Sequence, residues 1–158
     1  MNRTKEVQLK MHLKGVPLFC NLNDGQISVL SRVSVITPFK KGRIIVHQKG
    51  SGDTFYIVVS GRVKVTLLNE DGREIVLSIL TKGDFFGELA LLDNEPRSAN
   101  VIAVEDTGLF LITRAQFYQL IETHPHILRK VLKEICARLR HADEKIESLA
   151  FLDVYGRT

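Results

Sequence analysis

A stretch between Gly83 and Ala103 combines residue types that can hold a phosphate and a sugar. Gly87 opens what reads as a short helical turn, whose first amides have no internal partner and attract anions. Arg97 follows after a loop, and its planar guanidinium suits phosphate oxygens. Glu88 repels phosphate but accepts hydrogen bonds well from a sugar hydroxyl. These residue types at this spacing predict a site for a ribose joined to a phosphate.

A second interpretation treats Glu88 and Arg97 as an ion pair that staples a loop, which is the commoner role of an isolated pair. The surrounding residues favour the first interpretation. Phe-Gly-Glu-Leu-Ala, a short loop and then Pro-Arg-Ser-Ala closely resemble the phosphate-binding cassette of the cyclic-nucleotide-binding domain family. The resemblance implies that Glu88 contacts the ribose 2′-hydroxyl and that Arg97 contacts the cyclic phosphate. It places three further residues around that phosphate: Gly87, Ser98 and Ala99.

The predicted nucleotide site extends beyond these residues. It also includes Leu89 in the cassette, and Leu77 and Ser78 on the β-rich run before it. In an enteric member of the family, a Thr-Ser pair on a long helix faces the adenine, and Ala142 and Asp143 take those places here. Asp143 could accept hydrogen bonds from a purine, guanine offering two donors side by side and adenine one donor group. It could equally face solvent, since charged residues are rarely buried without a partner.

Between Ser34 and Thr113 the chain reads as short β-rich runs separated by turns that contain glycine. Six runs are predicted as strands: 43–48, 54–59, 62–68, 73–80, 98–104 and 109–113. Turn signals at such regular spacing favour an antiparallel barrel or jelly roll, and the family resemblance implies a β-roll. The predicted fold class is therefore α+β: an antiparallel β-roll with short flanking helices and a long C-terminal dimerisation helix.

Two helices are predicted before the β-rich runs. The first spans residues 7–14, and the second begins after Asn23, where Gln26 can complete a capping box. This second helix should end near residue 33 and bury one apolar face: Ile27, Leu30 and Val33.

Two more helices are predicted after the β-rich runs. A short one covers 115–121, and Pro125 is well placed to begin a long one. Apolar residues recur along the long helix in alternating steps of four and three, which is typical of a coiled-coil seam and favours a parallel homodimer. The alternative is a helix lying on its own barrel, which we expect for Ile127 and Val131. The predicted dimer interface consists of Leu128, Leu132, Ile135, Leu139, Ala142, Ile146 and Leu149.

The last residues indicate which subgroup of the family this chain resembles. Leu149-Ala-Phe-Leu-Asp-Val-Tyr-Gly-Arg157 resembles the segment that leads from the dimer helix into the DNA-binding domain of bacterial Crp/Fnr-type regulators. The predicted domains are therefore residues 1–123, a nucleotide-binding β-roll with N-terminal helices, and residues 124–158, a dimerisation helix that ends at the hinge to an absent DNA-binding domain. DNA is then expected as a partner only through that missing domain.

Composition and charge limit the function further. The chain has 44% hydrophobic and 25% charged residues, and it lacks an apolar run long enough for a membrane span or a signal peptide. We therefore expect a cytoplasmic protein with no membrane partner. Residues 44–112 carry six Lys or Arg against ten Asp or Glu. Phosphate capture must then rest on Arg97 and backbone amides rather than on a general basic field.

A catalytic site or a metal site is the alternative to nucleotide binding. Cys20 and Cys136 are far apart in sequence, which argues against a disulfide, zinc or iron–sulfur site. His47 is the only histidine on a predicted strand. His124 and His126 have a ligand-like spacing but lie at a helix start, where a cap and a solvated histidine are the commoner roles. No catalytic residue, metal or cofactor is therefore predicted.

The function expected from these observations is sensing of a cyclic nucleotide, with cyclic AMP as the allosteric ligand. Binding would reposition the dimer helices and the hinge of a Crp/Fnr-type transcription regulator. Two alternatives stay open: the same fold sensing cyclic GMP or a cyclic dinucleotide, and a structural dimerisation module with no nucleotide ligand. Kinase regulatory subunits and channel domains share the cassette, but the heptad helix argues against both.

Overall fold

The computed structural model describes residues 3–156 and begins with two helices, α1 (Arg3–Lys14) and α2 (Asp24–Val33). A 3₁₀ turn at Pro17–Phe19 joins them. The predicted capping box is present, since the Gln26 amide donates to Asn23 Oδ1 and the Asn23 amide donates to Gln26 Oε1. Ile27 and Leu30 are buried as predicted, but Val33 is exposed, so that part of the prediction was wrong. Val33 ends the helix, where the chain leaves for the first strand.

Two four-stranded antiparallel sheets form the body of the fold. Their strand orders are β1-β8-β3-β6 and β2-β7-β4-β5. This arrangement, with flanking helices and a long C-terminal helix, confirms the predicted fold class. The strands are β1 (Val35–Phe39), β2 (Ile44–Val46), β3 (Thr54–Ser60), β4 (Val63–Leu68), β5 (Glu74–Leu80), β6 (Phe85–Phe86), β7 (Asn100–Ala103) and β8 (Thr107–Thr113).

Two of the eight strands were not predicted. Strand β1 contains Pro38, which argues against a strand in sequence, but β1 is an edge strand and pairs only with β8. Proline is tolerated there because the outer side of an edge strand needs no amide donor. Strand β6 has two residues, too few to show an alternating pattern, and it pairs with Tyr56 and Ile57 of β3.

Aromatic side chains fill much of the space under the sheets. Phe55 is fully buried, and its ring centroid lies 5.3 Å from that of Phe85 and 4.9 Å from that of Phe117. On the other side of β6, Phe86 stacks on Tyr56 at 4.7 Å. Burying several phenylalanines in one cluster gives a large hydrophobic contribution to stability. It also holds β6 firmly at the point where the predicted nucleotide site begins.

Three more helices complete the chain: α3 (Glu88–Asp93), α4 (Arg114–Thr123) and α5 (Pro125–Gly156). The chain divides into two compact units, one up to Leu120 and one from Ile121. The predicted domain boundary after residue 123 stays a prediction, and residues 1–2 and 157–158 of the two predicted domains lie outside the described residues. Within residues 3–156, no helix is both long enough and apolar enough to cross a membrane.

The long helix α5 carries the whole predicted seam and begins at Pro125, as expected. Ile127 and Val131, in its first turns, are fully buried. The seam residues Leu132, Leu139, Ile146 and Leu149 are instead between 48% and 66% exposed. An apolar stripe of this length on a single chain is typical of a surface that another chain covers.

Candidate functional site

Gly87 lies between β6 and α3 and sets the direction in which the chain enters the helix. Its φ is +90°, a left-handed conformation that strongly favours glycine. A Cβ at this position would also lie 2.8 Å from the Thr54 carbonyl oxygen. Glu88 follows as the first residue of α3 and is only 4% exposed. The predicted helical turn is thus present, with its carboxylate directed into the protein rather than into solvent.

Arg97 is held by backbone carbonyls from two separate segments. It is only 7% exposed. Its Nη1 donates to the Gly87 carbonyl at 2.9 Å and its Nη2 donates to the Thr54 carbonyl at 2.8 Å. The guanidinium also lies 5.9 Å from the centre of the Tyr56 ring. Because two rigid carbonyls fix its plane, the guanidinium is oriented before any ligand arrives.

Burial is the main influence on the pKa of the Arg97 guanidinium, and it lowers that pKa. The neighbouring Tyr56, Glu88 and Asp53 raise it. An arginine in a protein nevertheless stays protonated. The result is a permanent cation that is largely removed from water. In this buried position its interaction with an anion is stronger than it would be at the surface.

The loop before β3 provides the surface on which Arg97 rests. The Lys49 amide donates to the Arg97 carbonyl and the Arg97 amide donates to the Gly50 carbonyl, both at 2.8 Å. Gly52 lies under the guanidinium so closely that a Cβ there would be 1.8 Å from Arg97 Nε. The sequence showed Gly50-Ser51-Gly52-Asp53 only as a turn. Nothing in the neighbouring sequence shows that Gly52 also supports the guanidinium of Arg97, which lies 45 residues later in the chain.

The other predicted residues of the first unit differ in their exposure. Ala99 is buried, whereas Ser98 is exposed next to Arg97. Leu89 on α3 is 42% exposed and Leu77 on β5 is 38% exposed. Ser78 on β5 is exposed too, and six of the seven residues of β5 are, which is unusual for apolar strand residues. The contacts of these residues with a ligand stay predictions.

Ala142 and Asp143 belong to the second unit, on α5, and both are exposed. Their predicted contact with a base stays a prediction.

A cavity of about 210 Å³ adjoins the guanidinium. Apart from Arg97 it is lined by residues that were not predicted: Ile45, Val46, His47, Ser51, Gly52, Asp53, Thr54 and Tyr56. The sequence did not point to them because they come from β2, β3 and the loop between these strands, distant in sequence from the cassette. Their alternating β pattern and turn residues indicate structure rather than binding.

Across residues 3–156, no group of three or more His, Cys, Asp or Glu side chains is placed to hold a metal ion. Cys20 and Cys136 are both exposed, and neither forms a disulfide. The rings of His124 and His126 lie 5.8 Å apart and perpendicular to each other.

Comparison with known proteins places these features in a family. The family model described as the cyclic nucleotide-binding domain matches residues 36–124, more than half of the chain. The chain belongs to this family. The matched residues contain Gly87, Glu88, Arg97 and the loop that supports Arg97.

Two similar relatives of this cyclic nucleotide-binding domain come from bacteria. The chain is 40% identical over 114 residues to the cAMP-activated global transcriptional regulator CRP of Salmonella typhimurium. This alignment covers 72% of this chain and 54% of the relative. It is 32% identical over 145 residues to the cyclic AMP receptor protein of Thermus thermophilus, covering 92% of this chain and 67% of the relative. The chain thus spans about half the length of the Salmonella relative.

A solved structure agrees with the sequence relatives. The crystal structure of the Thermus thermophilus catabolite activator protein matches with a TM-score of 0.75 and 32% identity, covering 85% of this chain and 63% of that chain. The cyclic nucleotide-binding domain described here is therefore homologous to catabolite activator proteins and other Crp/Fnr-type regulators, as the last residues of the sequence predicted.

Proposed function

We propose that this chain is the cyclic-AMP-sensing and dimerisation part of a Crp/Fnr-type transcription regulator. The observation that carries the proposal is the buried Arg97 guanidinium, fixed by the Gly87 and Thr54 carbonyls beside the buried Glu88. A structural ion pair between Glu88 and Arg97 would not require Gly52 beneath the guanidinium, nor an arginine that is buried away from water. A site that receives a phosphate gains from both, because the cation is oriented and desolvated before binding.

Each part of the ligand has a proposed partner in the first unit. The cyclic phosphate accepts from Arg97, near Ser98 and the backbone of the cassette. The ribose 2′-hydroxyl donates to the Glu88 carboxylate. The exposed apolar residues Leu77 and Leu89 offer surface to the rest of the nucleotide. Cyclic AMP is the proposed ligand since the matched relatives are named as cAMP-activated or cyclic AMP receptor proteins.

Ligand binding would act on a dimer through a population shift. The exposed seam of α5 supports pairing of two copies of this chain along Leu132, Leu139 and Ile146. Bound cyclic AMP favours one arrangement of the paired helices, and this arrangement controls DNA binding by a domain that follows α5. The proposed role is regulatory rather than enzymatic, and its proposed location is the cytoplasm.

A thermal-unfolding panel tests the proposed ligand. Cyclic AMP, cyclic GMP and a cyclic dinucleotide are compared, with non-cyclic AMP as the matched control. A ligand at a hundred times its Kd stabilises the folded state by about 2.7 kcal/mol, so cyclic AMP should raise the Tm and non-cyclic AMP should raise it less. If cyclic GMP or the dinucleotide raised the Tm more than cyclic AMP does, that nucleotide would replace cyclic AMP as the proposed ligand. No rise with any cyclic nucleotide would indicate a purely structural module.

A further inference from the structure

Arg114 occupies a position that local helix preferences do not explain. It is the first residue of α4, where the positive end of the helix dipole disfavours a cation by about 0.3–1 kcal/mol. The helix start is already capped without it. The Gln116 amide donates to Thr113 Oγ1 at 3.2 Å, and the Thr113 amide donates to Gln116 Oε1 at 2.9 Å. A residue that breaks a local preference often has its role in tertiary contacts.

One set of Arg114 contacts closes the end of α3. Its Nη1 donates to the Leu91 carbonyl at 3.3 Å and to Asn94 Oδ1 at 2.7 Å. The Tyr118 hydroxyl, one turn further along α4, also donates to the Leu91 carbonyl. The last carbonyls of a helix lack internal partners and favour a cation nearby. Since α3 has only six residues, it depends on such contacts for its stability.

A second set of Arg114 contacts holds the loop that supports Arg97. Its Nη2 donates to the Gly52 carbonyl at 3.0 Å, and its backbone amide donates to the Asp53 carbonyl at 2.8 Å. Its Nε lies 3.5 Å from Asp53 Oδ1, but that carboxylate is 86% exposed, so the ion pair contributes little. The forked guanidinium is therefore what joins the two segments.

We propose that Arg114 is a positioning residue for nucleotide binding. It ties Gly52 and Asp53 to the end of α3. Thr54, which directly follows Asp53, and Gly87, which directly precedes this six-residue helix, supply the carbonyls that orient Arg97. Arg114 acts on the ligand only through Arg97 and does not touch the phosphate. The inference rests on the proposed function, because it assigns the orientation of Arg97 to binding of a cyclic phosphate.

The test is a double-mutant cycle on the affinity for cyclic AMP, measured by calorimetry. Arg114→Ala should weaken binding about tenfold, equivalent to about 1.4 kcal/mol. Arg114→Lys should weaken it nearly as much, since an ammonium cannot bridge both segments. In an Arg97→Lys background the effect of Arg114→Ala should largely disappear, because coupled residues are not additive. Combined with Glu88→Gln, the effects should instead add.

Two controls separate positioning from general stability. Arg62→Ala removes another arginine ion pair of the first unit, with Glu105 at 3.2 Å, and should leave the affinity unchanged. In the ligand-free protein, hydrogen exchange of the Lys49 and Arg97 amides should be faster in Arg114→Ala, while the amides that pair β4 with β7 keep the parent rates.

The results distinguish this inference from the proposed function. A parent chain that binds no cyclic nucleotide would overturn both. A parent that binds cyclic AMP while Arg114→Ala binds it equally well would overturn the positioning role alone. So would an effect of Arg114→Ala that stays at full size in the Arg97→Lys background, since Arg114 would then act through general stability.

Discussion

Replacing Gly52 with alanine should disable the site without unfolding the protein. A Cβ at Gly52 would lie 1.8 Å from Arg97 Nε and 2.1 Å from Cζ, so the guanidinium could not stay where it is. These atoms are at the end of a flexible side chain, which can swing away without moving the backbone. The φ of Gly52 does not lie in the left-handed region, so alanine introduces no backbone strain.

The size of the effect follows from the contacts that Arg97 would lose. Its two hydrogen bonds, at 2.9 Å to Gly87 and 2.8 Å to Thr54, each contribute ~1.5–3 kcal/mol for a charged donor. The displaced side chain regains part of this in water. We therefore expect binding of cyclic AMP to weaken by ~2 kcal/mol, or about 30-fold.

Stability should change much less than affinity. Alanine in place of glycine restricts the unfolded chain and contributes ~0.4–1 kcal/mol, which offsets part of the lost contacts. The Tm should therefore shift by less than about 4 °C. Calorimetric titration and thermal unfolding of the same sample check both quantities. Gly15→Ala is the matched control, since a Cβ there meets only carbonyl oxygens at 3.5 and 3.7 Å. An unchanged affinity in Gly52→Ala would refute the placement of Arg97 against this loop.

Three further predictions concern the helix seam, the base and an ion pair. The parent should be a dimer at micromolar concentration in analytical ultracentrifugation, and Leu139→Lys should yield monomers because it places two ammonium groups in an apolar seam; a monomeric parent would refute the seam. Asp143→Ser should shift the ratio of the two dissociation constants towards cyclic AMP and away from cyclic GMP, and an unchanged ratio would show that Asp143 does not read the base. The hydrogen bond and charge of Lys14, 2.7 Å away, hold the pKa of the Asp24 carboxyl below its usual range of about 3.9. The contribution of this pair to stability is thus present above the unfolded pKa and lost as pH falls through the folded one, and an NMR titration should show the midpoint rising in Lys14→Met.

The parts of the fold that depend on neighbouring residues could be predicted from sequence. The capping box of Asn23 and Gln26 is such a case, because both of its hydrogen bonds join residues three apart. The start of α5 at Pro125 is another, since proline suits the first position of a helix. Proline also disfavours a helical conformation in the residue directly before it. Val33 shows the limit of such prediction: it fits the apolar face of its helix, yet its side chain is 51% exposed.

The sequence predicts residues of the candidate site by their chemical type, but it could not show how they are arranged. Glu88 and Arg97 were predicted as ligand contacts because the surrounding cassette resembles that of a known family, and these contacts stay predictions. That Arg97 rests on Gly52 and donates to Thr54 depends on how β3 and its loop pack against β6. Arg114 is similar, because its partners lie 20 to 62 residues away in sequence. Contacts at such separations leave no periodic pattern in one sequence.

The most direct measurement of the central claim is a calorimetric titration of the parent chain and of Arg97→Ala with cyclic AMP. The parent should bind one nucleotide per chain. Arg97→Ala leaves the phosphate without its desolvated counter-ion, which costs ~2–5 kcal/mol and should weaken binding between about 30-fold and several thousandfold. Equal affinities in the two proteins, or no binding to the parent, would contradict the assignment of Arg97 as the phosphate ligand of a cyclic-nucleotide sensor.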